Sequence, residues 1–229
     1  MEWSKVCMDV IMIPSGVLFP IVYHGWLFYM VRTRPQRTNL GIDAVGQQLW
    51  ISAMLKDNDK KNILAVQTLR NSIMSSTLMA STCILICCGL LTFTSNIYSH
   101  RSYETSTFDS SGAITLAFKS ATLVLVFLSV FVSQALSIMF LNQVGILINI
   151  LTMECCTITE QHVYILLRKG IFLNTVGNRL FFIALPLILW LFGPIPVFVC
   201  SLATVPVLYN LDIVPGEKKP VIGVRVANA

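Results

Sequence analysis

Four long apolar runs with few charged residues constrain this sequence more than any other feature. A helix needs about 20 apolar residues to cross the roughly 30 Å hydrocarbon core of a bilayer. Four stretches meet that length, at about residues 10–31, 73–98, 120–141 and 180–211. They lack the alternating apolar and polar pattern of transmembrane barrel strands, so each is predicted to be a helix.

The composition agrees with an all-α membrane protein. Of the 229 residues, 55% are hydrophobic and only 12% are charged, which is about half the charged share of an ordinary soluble domain. The net charge is only +5, so no nucleic-acid partner is predicted. The sequence lacks Walker, GxSxG and HExxH motifs and the Rossmann glycine fingerprint, and no enzyme activity is predicted.

Lysine and arginine residues predict the orientation of the four spans. With four crossings, ten basic residues lie between spans one and two and between spans three and four. The other six lie in the two tails and between spans two and three. The positive-inside rule places the richer side in the cytosol, so both termini are predicted to be luminal.

Two spans are predicted to extend past the membrane into a cytosolic helical layer built from residues 41–70 and 142–179. The chain runs from the possible N-caps at Asp57-Asn58-Asp59 into span two without proline or glycine, as one helix of about 40 residues. Span three continues to a similar length. The whole chain is therefore predicted to be a single four-helix transmembrane domain, with a disordered tail at 215–229.

Two shorter helices complete the predicted layer. Residues 41–55 have apolar positions at helical spacing, and they either pack on the long helices, the plainer interpretation, or rest on the membrane interface. A second helix is predicted from the capping box Thr157-x-x-Glu160 to Gly170. In span four, the Gly193-Pro194 step predicts a kink or a hairpin-like break.

The first helix carries two acidic residues on one face. Glu2 and Asp9 are seven residues apart, and the same face continues through Ile13 and Gly16. In an oligomer with this face around an axis, Glu2 and Asp9 would form carboxylate rings that bind a permeating cation transiently. The alternative is that Asp9 lies at headgroup depth and pairs with Lys5.

The third helix carries a polar stripe that includes Gln134, Asn142 and Asn149. Asn142 and Asn149 are candidates to line a pore, because amide oxygens can replace the water around a cation. Such side chains also hydrogen-bond between membrane helices, which is their commoner use. Small residues at regular helical spacing, Ser129, Ser133 and Ser137 in this helix and Ser72, Ser76 and Ala80 in helix two, predict close helix packing.

Three motifs resemble a known family. These are the opening MEWSKVCMDVIMIPSGVLFPIVYHGWLF, the segment ILAVQTLRNSIMSSTLMAST at 63–82, and NRLFFIALPLILWLFGPIPVF at 178–198. They are similar to the plant membrane-protein family of domain of unknown function 599, over nearly the whole chain. The resemblance, which extends to a plant immune member, implies a homopentamer with a central pore in the endoplasmic reticulum membrane.

The same resemblance implies a calcium-permeable cation channel whose cation release triggers plant defence. The expected partners are membrane lipid and further copies of the chain, and no cofactor is expected beyond permeant Ca2+ and monovalent cations. The resemblance transfers no pore residues, so the candidates stay Glu2, Asp9, Ile13, Gly16, Asn142 and Asn149. The alternative is a non-conducting scaffold that binds a partner through residues 41–70 or 157–179.

Overall fold

The described part of the chain is helical apart from short connections and one isolated β-bridge between Thr38 and Ile213. The computed structural model describes residues 2–55, 60–103, 110–151 and 159–214, with side chains in the first helix described for Met12 and from Pro14 onward. Short 3₁₀ turns at Pro35–Arg37 and Leu189–Leu191 join some of the helices. The helices are α1 (Glu2–Thr33), α2 (Asn39–Leu55), α3 (Lys60–Tyr103), α4 (Ser110–Leu151), α5 (Glu160–Ile188) and α6 (Pro194–Asp212).

Four helical segments of the described residues are long and apolar enough to cross a membrane, which confirms a multi-pass membrane protein. They are Ile63–Ile97, Ile114–Ile150, Glu160–Leu191 and Pro194–Asp212. The first two contain most or all of the predicted spans at 73–98 and 120–141. The predicted span at 180–211 is divided between the last two, and the one at 10–31 lies in α1, a helix of 32 residues.

Helices α3, α4 and α5 form an antiparallel bundle. Thr94 of α3 bonds to Ser120 of α4, whereas Gly145, later in α4, lies beside the earlier Leu69 of α3. The core of this bundle is filled by fully buried apolar side chains. They include Cys83, Leu123, Phe127 and Val130 in the half nearer Tyr103, and Ala65, Val144, Ile148 and Val163 in the half nearer Lys60.

Gly193 turns the chain back between α5 and α6. Its φ of 146° and ψ of 176° lie in a region that glycine alone adopts easily. Pro194 then begins α6, because a proline at the first helical position has the right φ and leaves no useful N–H unpaired. Arg179 of α5 contacts Asp212 at the far end of α6, so the two segments form a helical hairpin.

Helices α1 and α6 form a parallel pair. Phe19 packs edge-on against Phe198, and Trp26 stacks on Tyr209, each with ring centroids 5.9 Å apart. The carboxyl-terminal ends are tied together, since the side chain of Asn39 donates to the carbonyl of Leu211. The first residue of α1 and the last of α6 therefore lie at opposite ends of the molecule.

The predicted lengths of the two long helices are confirmed, with 44 residues in α3 and 42 in α4. Helix α2 agrees with the prediction at 41–55. The predicted helix end at Gly170 is wrong, because α5 continues to Ile188. Gly170 is instead a contact point, where an added Cβ would come within 3.2 Å of Leu141 of α4. The predicted cap residue Thr157 and the predicted disordered tail lie outside the described residues.

Candidate functional site

A buried ion pair joins the hairpin to α1. Asp212 is only 2% exposed, and its Oδ2 accepts hydrogen bonds from Arg179 Nη1 at 2.7 Å and from the Tyr23 hydroxyl at 2.6 Å. Arg179 Nη2 contacts the other carboxylate oxygen. One carboxylate thus holds three helices, and removal of either charged partner would leave an uncompensated charge in a largely buried place.

A band of polar contacts crosses the bundle near this ion pair. Ser133 and Ser137 of α4 donate to the carbonyls of Leu173 and Gly170 in α5, both at 2.8 Å. Ser76 of α3 donates to the side chain of Asn174 of α5 at 3.3 Å. Each serine is buried. The predicted close packing at Ser76, Ser133 and Ser137 is confirmed, since their hydroxyls bond across helix interfaces.

Gln134 is the centre of this polar band. Its side chain is fully buried, and its Nε2 donates to Asn178 Oδ1 at 2.8 Å. Gly177 makes room for the amide, because an added Cβ there would lie 2.7 Å from Gln134 Nε2. Gln134 Oε1 is buried without a hydrogen-bond partner among the described residues. For this member of the stripe, the interhelical role is confirmed.

The predicted face of α1 turns toward α6 at Gly16. An added Cβ there would lie 3.5 Å from Val197 and 3.6 Å from the Ser201 hydroxyl. Pro20 and Tyr23, further along the same face, are buried as well. The structure thus places Gly16 in a helix contact within one chain. The side chains of Glu2, Asp9 and Ile13 lie outside the described residues.

Asn142 and Asn149 lie on the exposed part of the stripe in α4. Gly145, between them in sequence, approaches Leu69 of α3 to 3.8 Å. The stripe therefore divides into a buried end at Gln134 and an exposed end at the two asparagines. The pore-lining role of Asn142 and Asn149 stays a prediction.

The opposite end of the bundle carries one cation beside an aromatic ring. Lys119 Nζ lies 5.3 Å from the centroid of Trp190 and 3.4 Å from its backbone carbonyl oxygen. Lysine and tryptophan are common at membrane–water interfaces, where each keeps one polar group hydrated. The contact fixes the start of the α5–α6 turn against α4.

Local sequence does not predict the ion pair, because Arg179 and Asp212 are 33 positions apart. The signal in the sequence is that a positive charge precedes the apolar run 180–211 and a negative charge follows it. A hairpin brings the two ends of this run together. Among the described residues, no group of three or more His, Cys, Asp or Glu side chains could hold a metal ion. The transient cation site predicted at Glu2 and Asp9 falls outside that search.

The long apolar helices and their buried polar contacts define a multi-pass α-helical membrane protein. Within that class, the chain belongs to the family described as protein of unknown function, DUF599, whose model matches residues 11–216. No curated protein and no solved structure matches the chain.

Proposed function

We propose that the protein is an oligomeric, calcium-permeable cation channel. The observation that carries the proposal is the one-sided packing of α1. Gly16, Tyr23 and Leu27 face into the molecule, whereas Leu18, Val22 and Tyr29 are more than half exposed. An apolar face of this kind suits lipid or a second subunit.

The pathway in this proposal runs between subunits. The interior of the α3–α4–α5 bundle is filled by Leu123, Phe127 and Val130, each with no exposed surface. Conduction therefore calls for a closed ring of copies around an axis. The resemblance to WeiTsing, a plant immune protein of the endoplasmic reticulum, supports a pentamer in that membrane, where cation release would trigger defence signalling.

Glu2 and Asp9 are assigned to the mouth of this pathway. Gly16 lies beside Val197, so Asp9, about 10 Å earlier along α1, lies beyond the level at which α6 begins. The acidic end of α1 thus extends past the α5–α6 turn. Carboxylates in that position would concentrate cations ahead of a narrower passage. Gly16, further along α1 than this mouth, packs against α6.

The α5–α6 hairpin changes the orientation that was predicted from four crossings, because it divides the last predicted span into two helices. Val214 follows α6 and its backbone N–H donates to the carbonyl of Arg37, so the end of α6 lies beside the end of α1. We take α1, α3, α4, α5 and α6 as five membrane crossings. Three basic residues then lie on one side of the membrane, namely Lys5, Arg101 and Lys119. Twelve belong to the other, and Arg179 lies in the bundle. The positive-inside rule then favours a luminal amino terminus and a cytosolic carboxyl terminus.

Recording from purified protein in planar bilayers under bi-ionic Ca2+ and K+ conditions tests the proposed mouth. The Glu2→Ala/Asp9→Ala variant should lose Ca2+ preference, because two acidic residues per subunit are removed. The matched control, Asp59→Asn/Glu160→Gln, removes the same formal charge from segments assigned to the other side. Unchanged reversal potential and conductance in the first variant would contradict the assignment of Glu2 and Asp9.

A second candidate is a scaffold that binds a partner through its helical layer. A cavity of about 410 Å³ lies between α2 and the start of α5, and its walls include Gln48, Ser52, Glu160 and Tyr164. Such polar walls suit a peptide or a loop of another protein. Two results would favour this candidate over the channel. The purified protein would give no current in planar bilayers, and it would bind a partner that the Glu160→Arg variant does not bind.

A further inference from the structure

A second cavity lies beneath α2, in a place that neither proposed function uses. Its volume is about 370 Å³, within the range of roughly 300–1,000 Å³ typical of small-molecule sites. Helices α2, α3, α4 and α5 all contribute to its walls. The apolar walls come from Ile42, Trp50, Leu69, Leu141, Leu167 and Ile171.

The polar groups of this cavity are few. Thr68 donates to the carbonyl of Leu64, and Ser72 donates to the carbonyl of Thr68, so both hydroxyls already have partners in α3. Asp43 and Gln47 of α2 remain as the polar wall. The site therefore offers an apolar interior with one carboxylate, which favours an apolar chain whose polar end carries no net negative charge.

The cavity lies at the level of basic residues that mark a membrane boundary. Arg70 follows the wall residue Leu69, and Arg168 follows the wall residue Leu167; both arginines are exposed. Arginine is typical of the cytosolic boundary of membrane helices. Trp50, on the α2 wall, is of a residue type enriched at that depth. An occupant of such a site is most readily supplied by the adjoining leaflet.

Gly46 leaves the cavity open. It lines the wall in the middle of α2, and an added Cβ would meet no atom within 4 Å. A glycine inside a helix destabilises it by about 1 kcal/mol relative to alanine. A larger side chain at this position has room to enter the cavity and would also favour the helix, so it removes the cavity without a clash.

We propose that the cavity beneath α2 binds one acyl chain of a zwitterionic phospholipid from the leaflet next to the helical layer. The chain lies among the apolar walls, and the cationic group of the head lies near Asp43. This lipid site is distinct from the proposed mouth on α1 and from the cavity between α2 and the start of α5, because the two cavities share no lining residue.

Photo-crosslinking tests this site. The full chain is placed in nanodiscs with phosphatidylethanolamine that carries a diazirine in one acyl chain, and adducts are mapped by mass spectrometry. Adducts are expected at wall residues such as Leu69 and Leu141, as well as at outward residues such as Leu85. Gly46→Leu should lower the wall adducts about tenfold, because its side chain displaces several methylene groups of the lipid.

Gly89→Leu is the matched control, because an added Cβ at Gly89 of α3 also meets no atom within 4 Å. It should leave the wall adducts unchanged, and the thermal unfolding temperature of Gly46→Leu should equal or exceed that of the unaltered chain. Absence of wall adducts, or equal wall adducts in Gly46→Leu, would overturn the site. Equal or stronger wall labelling by the matching phosphatidylserine probe would overturn its assignment to a zwitterionic lipid.

Discussion

The α3–α4–α5 bundle and the α1–α6 pair are held together in different ways. The bundle shares two apolar clusters and a band of hydrogen bonds between its helices. The pair buries a smaller cluster of Tyr23, Leu27 and Leu208, and the Arg179–Asp212 ion pair ties it to α5. Both regions expose large apolar side chains, for example Leu78 and Leu85 in α3 and Val22 in α1. We assign the contact with neighbouring subunits to the pair because the proposed pore mouth at Glu2 and Asp9 belongs to α1.

The largest expected effect concerns the side of the membrane that each end of the pair faces. In sealed microsomes, an epitope at the carboxyl terminus should be digested by added protease, and one at the amino terminus should be protected. The physical reason is that α1 and α6 run parallel, with their starts at one end. Protection of both epitopes would support the four-span topology and contradict the hairpin.

The next largest effect is loss of the ion pair. Asp212→Asn should lower the free energy of unfolding by about 3 kcal/mol, because it leaves Arg179 without its charge partner in a mostly buried place. Thermal unfolding in detergent measures the loss, and amide exchange should increase in α6 before it increases in α4.

The double variant Asp212→Leu/Arg179→Met is the control for this prediction, because it replaces both charged side chains by apolar ones. It should recover most of the lost stability. Equal amide exchange in α6 and α4 of Asp212→Asn would contradict this prediction, because it would show that the pair and the bundle unfold as one unit.

A variant inside the bundle tests how tightly α4 and α5 pack. Gly177→Ala should destabilise the bundle by about 2 kcal/mol, since its Cβ would lie 2.7 Å from the fully buried Gln134 amide. Gly89→Ala is the matched control, because an added Cβ there meets no atom within 4 Å. The measurement is the thermal unfolding temperature of each variant. Equal unfolding temperatures for Gly177→Ala and Gly89→Ala would refute the tight α4–α5 contact.

The smallest expected effect comes from the tyrosine in the ion-pair site. Tyr23→Phe removes one hydrogen bond to the Asp212 carboxylate and should cost about 1.5 kcal/mol. The cost is measured from the rates of amide hydrogen exchange in α1 and in α6. A cost as large as that of Asp212→Asn would mean that Tyr23, rather than Arg179, chiefly holds the carboxylate.

The helices that the sequence predicts well are those whose apolar pattern is continuous. Residues 60–103 and 110–151 contain no proline, and their helices have the predicted length of about 40 residues. The end at Gly170 was wrong because a glycine can serve helix contact as well as helix termination, and local sequence does not distinguish the two. The return at Gly193 was only one of two alternatives, since a proline-rich run can kink a helix or reverse the chain.

The candidate site was harder to predict than the fold. Hydrogen bonds such as those of Gln134 with Asn178 and of Ser76 with Asn174 join residues 44 and 98 positions apart. Helical periodicity places each residue on a face but does not identify the facing helix. For the same reason, the sequence assigned Gly16 to an axis between subunits, whereas it lies against α6 within one chain.

Planar-bilayer recording of the purified wild-type protein across a tenfold KCl gradient tests the central claim, cation conduction between subunits, most directly. We expect discrete openings that reverse near the K+ equilibrium potential, about 59 mV from zero for a monovalent ion. Silent bilayers containing the folded protein, or a reversal near the Cl− equilibrium potential, would contradict it.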